Sequence, residues 1–476
     1  MTEPMLEHRK LFLDQFTPIA HYHKLKQHFS REITLLFESV VNNEMGNFSY
    51  IVIGAREKVW HQNDVSYHQD ENGEVSEIDA NPLQFLKNYY NHVDQEAYAE
   101  VAQSIDVGFV DGFIGYIGYD MVKEFEPSLK PSMEGLDDAA KVPDLDLIRP
   151  KLILAFSHKT STLTMISSMH EMVEQFDAIE SLLTSTYEFV PLKGAVKLGE
   201  GKFSFDQEQF FGLIAKSKEM IRSGDVFQIL MSNRFIQPAK VDRFSFYRTI
   251  RSKNPSPYLF LLEFDEFAIA GSSPEVMVQL TDGRILLRPI AGTRKRGKTS
   301  AQDKMMEEEM THDSKEIAEH VMLVDLGRND VGRVAKPGTV KVDEIMRVER
   351  YSHVMHMVSD VTAVIDEKYD MFDLFMATFT AGTMTGAPKV RAMELIAEFE
   401  QLKRGFYSGS IVHFGFNGNM DSAITIRSAL IQENQIIFHA GAGVVADSKP
   451  ELEFLEVKNK LAANIASFQD LLDIEG

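Results

Sequence analysis

The sequence predicts an α+β fold, and three observations carry that reading. Strand-like runs follow one another directly, as at 258–264, 267–270, 275–280 and 284–287. Asp282-Gly283, between the last two, is a hairpin signal, and sequential hairpins mean antiparallel pairing. Helical patterns come in blocks outside those groups, which argues against a regular succession of single strands and helices.

In chain order, residues 1–45 hold a polar lead and the apolar run Ile33-Thr-Leu-Leu-Phe-Glu-Ser39, a strand or a short helix. From about 46 to 170, segments such as Tyr50-Ile-Val-Ile-Gly54 and Lys151-Leu-Ile-Leu-Ala-Phe156 read as strands, with helix over 83–103. Gly112-Phe-Ile-Gly-Tyr-Ile-Gly118 departs from the dinucleotide fingerprint and reads as close packing of a strand or turn. Residues 190–204 are glycine-rich and aperiodic; they mark a boundary between lobes that share a core rather than between independent domains. Phe210, Ile214, Ser217 and Ile221 recur at helical spacing over 204–223, and Gly224 is the natural stop. A strand at 226–231 follows. Helices are expected at about 302–325, 371–377 and 388–402, strands at 409–416, 422–430 and 435–439. Ala440-Gly-Ala-Gly443 then leads to a terminal helix, with Ser448 and Glu451 as a capping box and Pro450 in the first turn.

Composition removes several function classes. No apolar run reaches membrane-spanning length, and the first ten residues lack a secretory pattern, so a cytoplasmic location is expected. The chain has no cysteine, which excludes disulfides, thiolate metal ligands and a cysteine nucleophile within it. A net charge of −22 disfavours nucleic acid as a partner; the longest basic cluster, Arg294-Lys-Arg-Gly-Lys298, reads as a solvated loop.

Chemistry concentrates in a few places. Phe379-Thr-Ala-Gly-Thr-Met-Thr-Gly-Ala-Pro-Lys-Val390 is a glycine loop feeding a helix start, a place for an anion with Lys389 alongside, or an ordinary strand-to-helix turn. Glu316 with Glu319, and Glu453 with Glu456, are spaced to put two carboxylates on one helix face. Such pairs suit a hard divalent cation, Mg²⁺ before Zn²⁺, or are simply solvated faces. His356 lies in the alternating run Val354-Met-His-Met-Val358, as a core or a catalytic imidazole. Arg427, read as lying in a strand, needs a carboxylate partner from the protein or a ligand. Glu275, after Gly271-Ser-Ser-Pro274, is a candidate general acid if burial raises its pKa.

These segments, with Arg288-Pro-Ile-Ala-Gly-Thr-Arg-Lys-Arg-Gly297, Glu319-His-Val-Met-Leu-Val-Asp-Leu-Gly-Arg-Asn-Asp330, Arg404-Gly-Phe-Tyr-Ser-Gly409 and Asn417-Gly-Asn-Met-Asp421, stand in an order that resembles the chorismate-utilising enzymes. Within that family the likeness is to the large subunit, component I, of anthranilate synthase. It covers roughly 204–466; the first 190 residues match more loosely, through Leu36-Phe-Glu-Ser39 and the 112–118 glycines.

The resemblance implies large antiparallel sheets packed as a sandwich with helices outside. Residues 1–190 would form a regulatory and packing lobe and 204–466 the chorismate-binding catalytic region. The implied reaction turns chorismate and ammonia into anthranilate and pyruvate with Mg²⁺. Glu319 and Glu456 fall on the family's metal positions, with Glu316 and Glu453 holding metal-bound water. Arg427 and Tyr407 fall where the pyruvyl carboxylate is held, with the backbone of Gly441, Ala442 and Gly443; Thr383, Gly386 and Lys460 line the site. His356 acts on the leaving hydroxyl or the ring C–H, and Glu275 is the candidate acid. Gln228 replaces the lysine base of water-using relatives, and Ala291 the nucleophilic lysine of many aminodeoxychorismate synthases. Glu38 and Ser39, with Asn254, Pro255, Ser256 and Tyr258, correspond to a tryptophan inhibitor site. The missing cysteine calls for a separate glutamine amidotransferase subunit, in a heterodimer or heterotetramer. Aminodeoxychorismate synthesis and a non-catalytic tryptophan-sensing subunit are the competing readings.

Overall fold

The computed structural model describes residues 6–14, 17–39, 48–350 and 354–474. Every pairing between its named strands is antiparallel, and the strands join into one continuous ladder. The ladder doubles back on itself to make two facing layers. The first layer runs through strands Gln228–Lys240, Gln435–Val444, Ser428–Gln432, Phe267–Ser273, Tyr258–Glu263 and Thr34–Glu38. The second runs through Val354–Val364, Arg284–Leu287, Val276–Thr281, Met420–Ile424, Ser410–Gly415 and Gly112–Ile117.

Two devices connect the layers. The long strands Phe48–Gln62 and Leu145–Ser157 pair along their whole length, with a register shift between Ala55 and Glu57, and serve both layers. At the other side, two chain segments leave one layer for the other by a break. One break is at Pro274-Glu275, between strands Phe267–Ser273 and Val276–Thr281; the other is at 425–427, between Met420–Ile424 and Ser428–Gln432. The breaks are neighbours: Ile424 N donates to Glu275 O at 3.0 Å and Ser272 N donates to Arg427 O at 3.1 Å.

Period-two alternation assigns each strand face. Leu35, Leu262, Ile269 and Leu430 point between the layers, while Leu36, Leu261, Ala268 and Ile431 point outward. Outside the first layer lie helices Gln207–Ser223, Arg243–Lys253 and Pro450–Leu472, which bury Phe210, Phe246, Leu461 and Phe468 against it. Helices Pro82–Tyr90 and Met371–Thr378 cover the second layer with Leu83, Leu86, Phe372 and Phe375. The glycine spacing at 112–118 does serve close packing: a Cβ on Gly115 would lie 2.1 Å from Asp146 O on the next strand. Residues 34–38 pair with 258–263 and 112–117 with 410–415, so the first 190 residues and the rest share one ladder.

Several expected elements have different bounds, each for a local reason. The single helix expected over 83–103 is two, because Asp94 caps a new start at Ala97 N. The helix expected over 302–325 is likewise split into Ser300–His312 and Ser314–Gly332, where the Asp313 carboxylate accepts from Lys315 N and Glu316 N. The strand expected at 226–231 starts at Gln228 and runs on to Lys240. The last strand extends to Val444 and so contains Gly441–Gly443. The terminal helix starts at Pro450 with Lys449 as an N-cap that supplies no side-chain bond; Ser448 instead accepts from Val445 N, so the capping box does not form. Asp282 and Gly283 both take positive φ, 49° and 75°, as the tight hairpin requires. The basic cluster at 294–298 is paired rather than loose: Arg294 bonds Glu316 at 3.0 Å and Arg296 bonds Asp303.

Arg404 and Glu400 form an ion pair whose side chains are 1% and 2% exposed, at 2.7 Å. Removing one partner of a buried pair leaves the other charge uncompensated. Glu400→Ala is therefore expected to cost about 3–5 kcal/mol in urea denaturation, whereas breaking the part-exposed Arg391–Glu394 pair should cost less than about 1 kcal/mol.

Candidate active site

The site is built at the corner where the two breaks meet. Glu275 sits on one break and Arg427 on the other. Arg427 is not in a strand, as expected from the sequence, but in a left-handed bend with φ 49°. A non-glycine residue pays for that conformation and keeps it only where its surroundings hold it. Here the chain passes from one layer to the other, and the Arg427 carbonyl is held by Ser272 N.

Glu275 is buried and accepts a hydrogen bond from Thr383 Oγ1 at 2.9 Å. Loss of water raises its pKa to about 7, against the opposing influence of Thr383, Arg427 and Lys460. His356 lies in strand Val354–Val364, buried, with Nδ1 3.3 Å from Gly292 O. A carbonyl only accepts, so Nδ1 carries the proton and Nε2 keeps its lone pair. Burial, and then the charge of Arg427, lowers the His356 pKa to about 4. Near neutral pH the imidazole is therefore an uncharged base, while Glu275 is poised between acid and anion.

The glycine loop forms the next wall. Gly386 has φ 144°, and a Cβ there would lie 2.2 Å from Gln228 O, so strand and loop meet at contact distance. Lys389 is not available to an anion: its ammonium is paired with Asp330 and donates to Thr378 O at 3.1 Å. Its helix, Lys389–Glu400, starts after Pro388, which stands at the N-cap position and supplies no side-chain bond.

The opposite wall comes from strand Gln435–Val444 and the terminal helix. Gly441, Ala442 and Gly443 pair with Ser232, Met231 and Leu230. Lys460 Nζ donates to Gly441 O at 2.8 Å and pairs with Glu456 at 2.8 Å. Tyr407 is buried and stacks on His439 at 4.2 Å between ring centres, beside Gly441. Gln228 Nε2 donates to Glu319 Oε1 at 3.2 Å, while Gln228 Oε1 is buried without a partner.

Burial raises the Glu319 pKa, and the charges of Glu316 and Glu456 add to it. Glu453 is raised in the same way, by burial first and with Glu456 contributing. The four glutamates expected as metal ligands thus act on one another from two helices. Among the described residues no three such side chains are gathered as a ready ligand set; Glu316 is engaged by Arg294 and Glu456 by Lys460.

A second, separate cavity opens between the layers, lined by Phe37, Glu38, Ser39, Tyr50, Tyr258 and His413 among others. Glu38 accepts from Tyr247 OH at 2.5 Å and from Arg251 Nε at 2.8 Å. Ser39 Oγ and His413 Nδ1 are buried without partners. Of the residues expected at an inhibitor site, Glu38, Ser39 and Tyr258 line this cavity, while Asn254, Pro255 and Ser256 are not among its lining residues. The sequence reading missed His413, and also Asp421, whose carboxylate accepts from Tyr258 OH at 3.0 Å. Only their places on alternating strands could have pointed to them.

Such a corner, with an acid, a base and an arginine facing two carboxylate-bearing helices, defines an enzyme acting on a polar, anionic small molecule. The family model described as chorismate binding enzyme matches residues 38–466, and the chain belongs to that family. It is 39% identical over 472 residues to anthranilate synthase component 1 of Aquifex aeolicus, covering 95% of this chain and 92% of the relative. It is 38% identical to anthranilate synthase component 1 of Neisseria gonorrhoeae, covering 97% and 94%. The crystal structure of anthranilate synthase component I from Streptococcus pneumoniae superposes with a TM-score of 0.76 at 31% identity, covering 96% of this chain and 99% of that one.

The Glu275 carboxyl yields a pH prediction. Its folded pKa, about 7, lies above the unfolded 4.5, so between those values the folded protein keeps a proton that the unfolded chain has released. That contribution to stability falls as pH rises through this window. Glu275→Gln should therefore be more stable than the parent at pH 8, by on the order of 3 kcal/mol, and not at pH 4. Urea denaturation at both pH values measures it; an equal difference at both would mean that Glu275 loses its proton as readily folded as unfolded.

Proposed function

We infer that this chain is the synthase subunit of an anthranilate synthase. It takes chorismate and ammonia to anthranilate and pyruvate, in tryptophan biosynthesis. The observation that carries this is near-full-length likeness to proteins named anthranilate synthase component 1, at 35–39% identity, joined to an acid–base pair at the corner of the site.

The residues divide the work as follows. Arg427 binds a substrate carboxylate through its guanidinium fork, with Tyr407 and the Gly441–Gly443 backbone as neighbours. Glu275, held by Thr383, donates a proton to the departing ring hydroxyl, which lowers the cost of its leaving. His356, neutral and with its lone pair on Nε2, takes the ring proton when the aromatic product forms. Gln228 cannot take a proton from water at neutral pH, and Ala291 offers no nucleophile, so ammonia attacks the ring directly.

The donor set fits a divalent cation. Glu319 and Glu453 have pKa values raised by burial and by neighbouring carboxylates, a crowding that a cation relieves, and the unpartnered Gln228 oxygen lies beside Glu319. Glu319 and Glu456 would hold Mg²⁺, with Glu316 and Glu453 reaching it through water. When bound, Mg²⁺ supplies counter-charge to a substrate carboxylate and draws electron density from the ring.

Ammonia comes from a separate glutaminase subunit, since this chain has no cysteine to hydrolyse glutamine. The cavity at Glu38, Ser39 and Tyr258 takes tryptophan as feedback inhibitor; its aromatic walls suit an indole, and Ser39 and His413 present unpaired polar atoms.

Purified chain with chorismate, Mg²⁺ and ammonium sulfate should form anthranilate, and with glutamine in place of ammonium it should not. Formation of the para isomer's precursor would redirect the reading to aminodeoxychorismate synthesis. Full turnover after Glu319→Gln would remove that carboxylate from the metal site, whereas no anthranilate with either nitrogen source would favour a sensing subunit over an enzyme. Glu275→Gln should lower kcat by roughly 10²–10⁴ with a smaller effect on KM, the loss typical of a general acid.

A further inference from the structure

The inhibitor cavity and the carboxylate-binding arginine are joined by a short run of named contacts. Glu38, on the cavity wall, accepts from Tyr247 and Arg251 of helix Arg243–Lys253. That helix ends in Asn254, whose carbonyl accepts from Ser272 Oγ. Ser272 is fully buried, and its own N–H donates to Arg427 O at 3.1 Å. Three residues after Asn254 the chain re-enters the cavity wall at Pro257 and Tyr258. One side chain thus touches the end of the helix that Glu38 anchors, and its backbone holds the left-handed bend of Arg427.

We propose that Ser272 is a positioning residue: its N–H and buried hydroxyl set the Arg427 bend and tie it to the cavity that takes the aromatic amino acid. The proposal rests on Arg427 as carboxylate grip and on the cavity as inhibitor site. A ligand that pushes on Glu38 or Tyr258 displaces the Asn254 carbonyl. The Ser272 hydroxyl follows it, and the Ser272 N–H carries the change to the Arg427 carbonyl. Coupling through such a route is reciprocal, since tryptophan weakens chorismate binding by the factor by which chorismate weakens tryptophan binding; removing the Ser272 hydroxyl cuts the route and also unseats the Arg427 bend.

The test compares the parent chain with Ser272→Ala and Ser272→Thr in the ammonium-dependent assay, with tryptophan added at each variant's own KM for chorismate. Ser272→Ala deletes only the hydroxyl. It should raise the KM for chorismate and the half-inhibitory tryptophan concentration together, each by about threefold to tenfold, the loss of one buried hydrogen bond. The change in kcat should be smaller than either. Ser272→Thr, which keeps a hydroxyl, should restore both. An unmoved KM, an unmoved tryptophan response, or a fall in kcat alone after Ser272→Ala overturns the proposal. Parent enzyme that ignores tryptophan removes the inhibitor reading instead, and this is seen before any substitution is made; the KM of Ser272→Ala then decides the positioning role by itself.

Discussion

The buried pair Arg404–Glu400 is the interaction on which the site's geometry rests. Arg404 Nη1 donates to Met384 O at 2.9 Å and Nη2 to Leu230 O at 2.8 Å, while Nε and Nη2 grip Glu400. Glu400 in turn accepts from Ser232 N and Oγ, and Ser232 Oγ reaches His439 Nε2, the ring that stacks on Tyr407. A single guanidinium therefore ties together the glycine loop, the strand carrying Gln228 and, through Glu400, the wall carrying Gly441. Its five donors in a rigid fork allow this, and a lysine would not span the same acceptors.

Burial then does the chemical tuning around that frame. The same loss of water pushes Glu275 up toward neutrality and His356 down below its usual range, because in each case it disfavours the charged form. One carboxyl and one imidazole, both ordinary in sequence, become an acid and a base usable at the same pH. The opposed shifts come from shared surroundings: Arg427 lowers the pKa of both, and the difference lies in which protonation state carries charge.

Much of this was legible in the sequence, and the rest was not, for identifiable reasons. The hairpin at Asp282-Gly283, the stop at Gly224 and the packing glycines at 112–118 were readable because local backbone demands leave few residue choices. Glu275, His356 and Glu319 could be nominated by type and motif, yet their protonation depends on burial, which is set by strands far away in the chain. Arg427 reads as strand because Ile424, Thr425 and Ile426 look strand-like; only tertiary pairing with Ser272 and the chain's change of layer bend it there. Lys389 stands beside a glycine loop in sequence, and no sequence pattern announces Asp330 as its partner. Glu400 and Arg404 stand four apart across a helix end, a spacing as common on solvated surfaces as in a core.

The topology puts the corner at Glu275 and Arg427 and the cavity at Glu38 on one run of paired strands. Strands Thr34–Glu38, Tyr258–Glu263, Phe267–Ser273 and Ser428–Gln432 are consecutive neighbours in the first layer. Glu38 begins that series and Arg427 immediately precedes its last member. Strands in a hydrogen-bonded ladder cannot slide singly, because a one-residue slip would turn every buried side chain outward. A ligand against one of these strands therefore moves the others by small concerted tilts or not at all. The two breaks, at Glu275 and at Arg427, are where such a tilt can be taken up, since there the ladder is interrupted and the chain changes layer. Glu275 and Arg427 thus stand at two interruptions of the ladder, where a tilt of the neighbouring strands can be taken up.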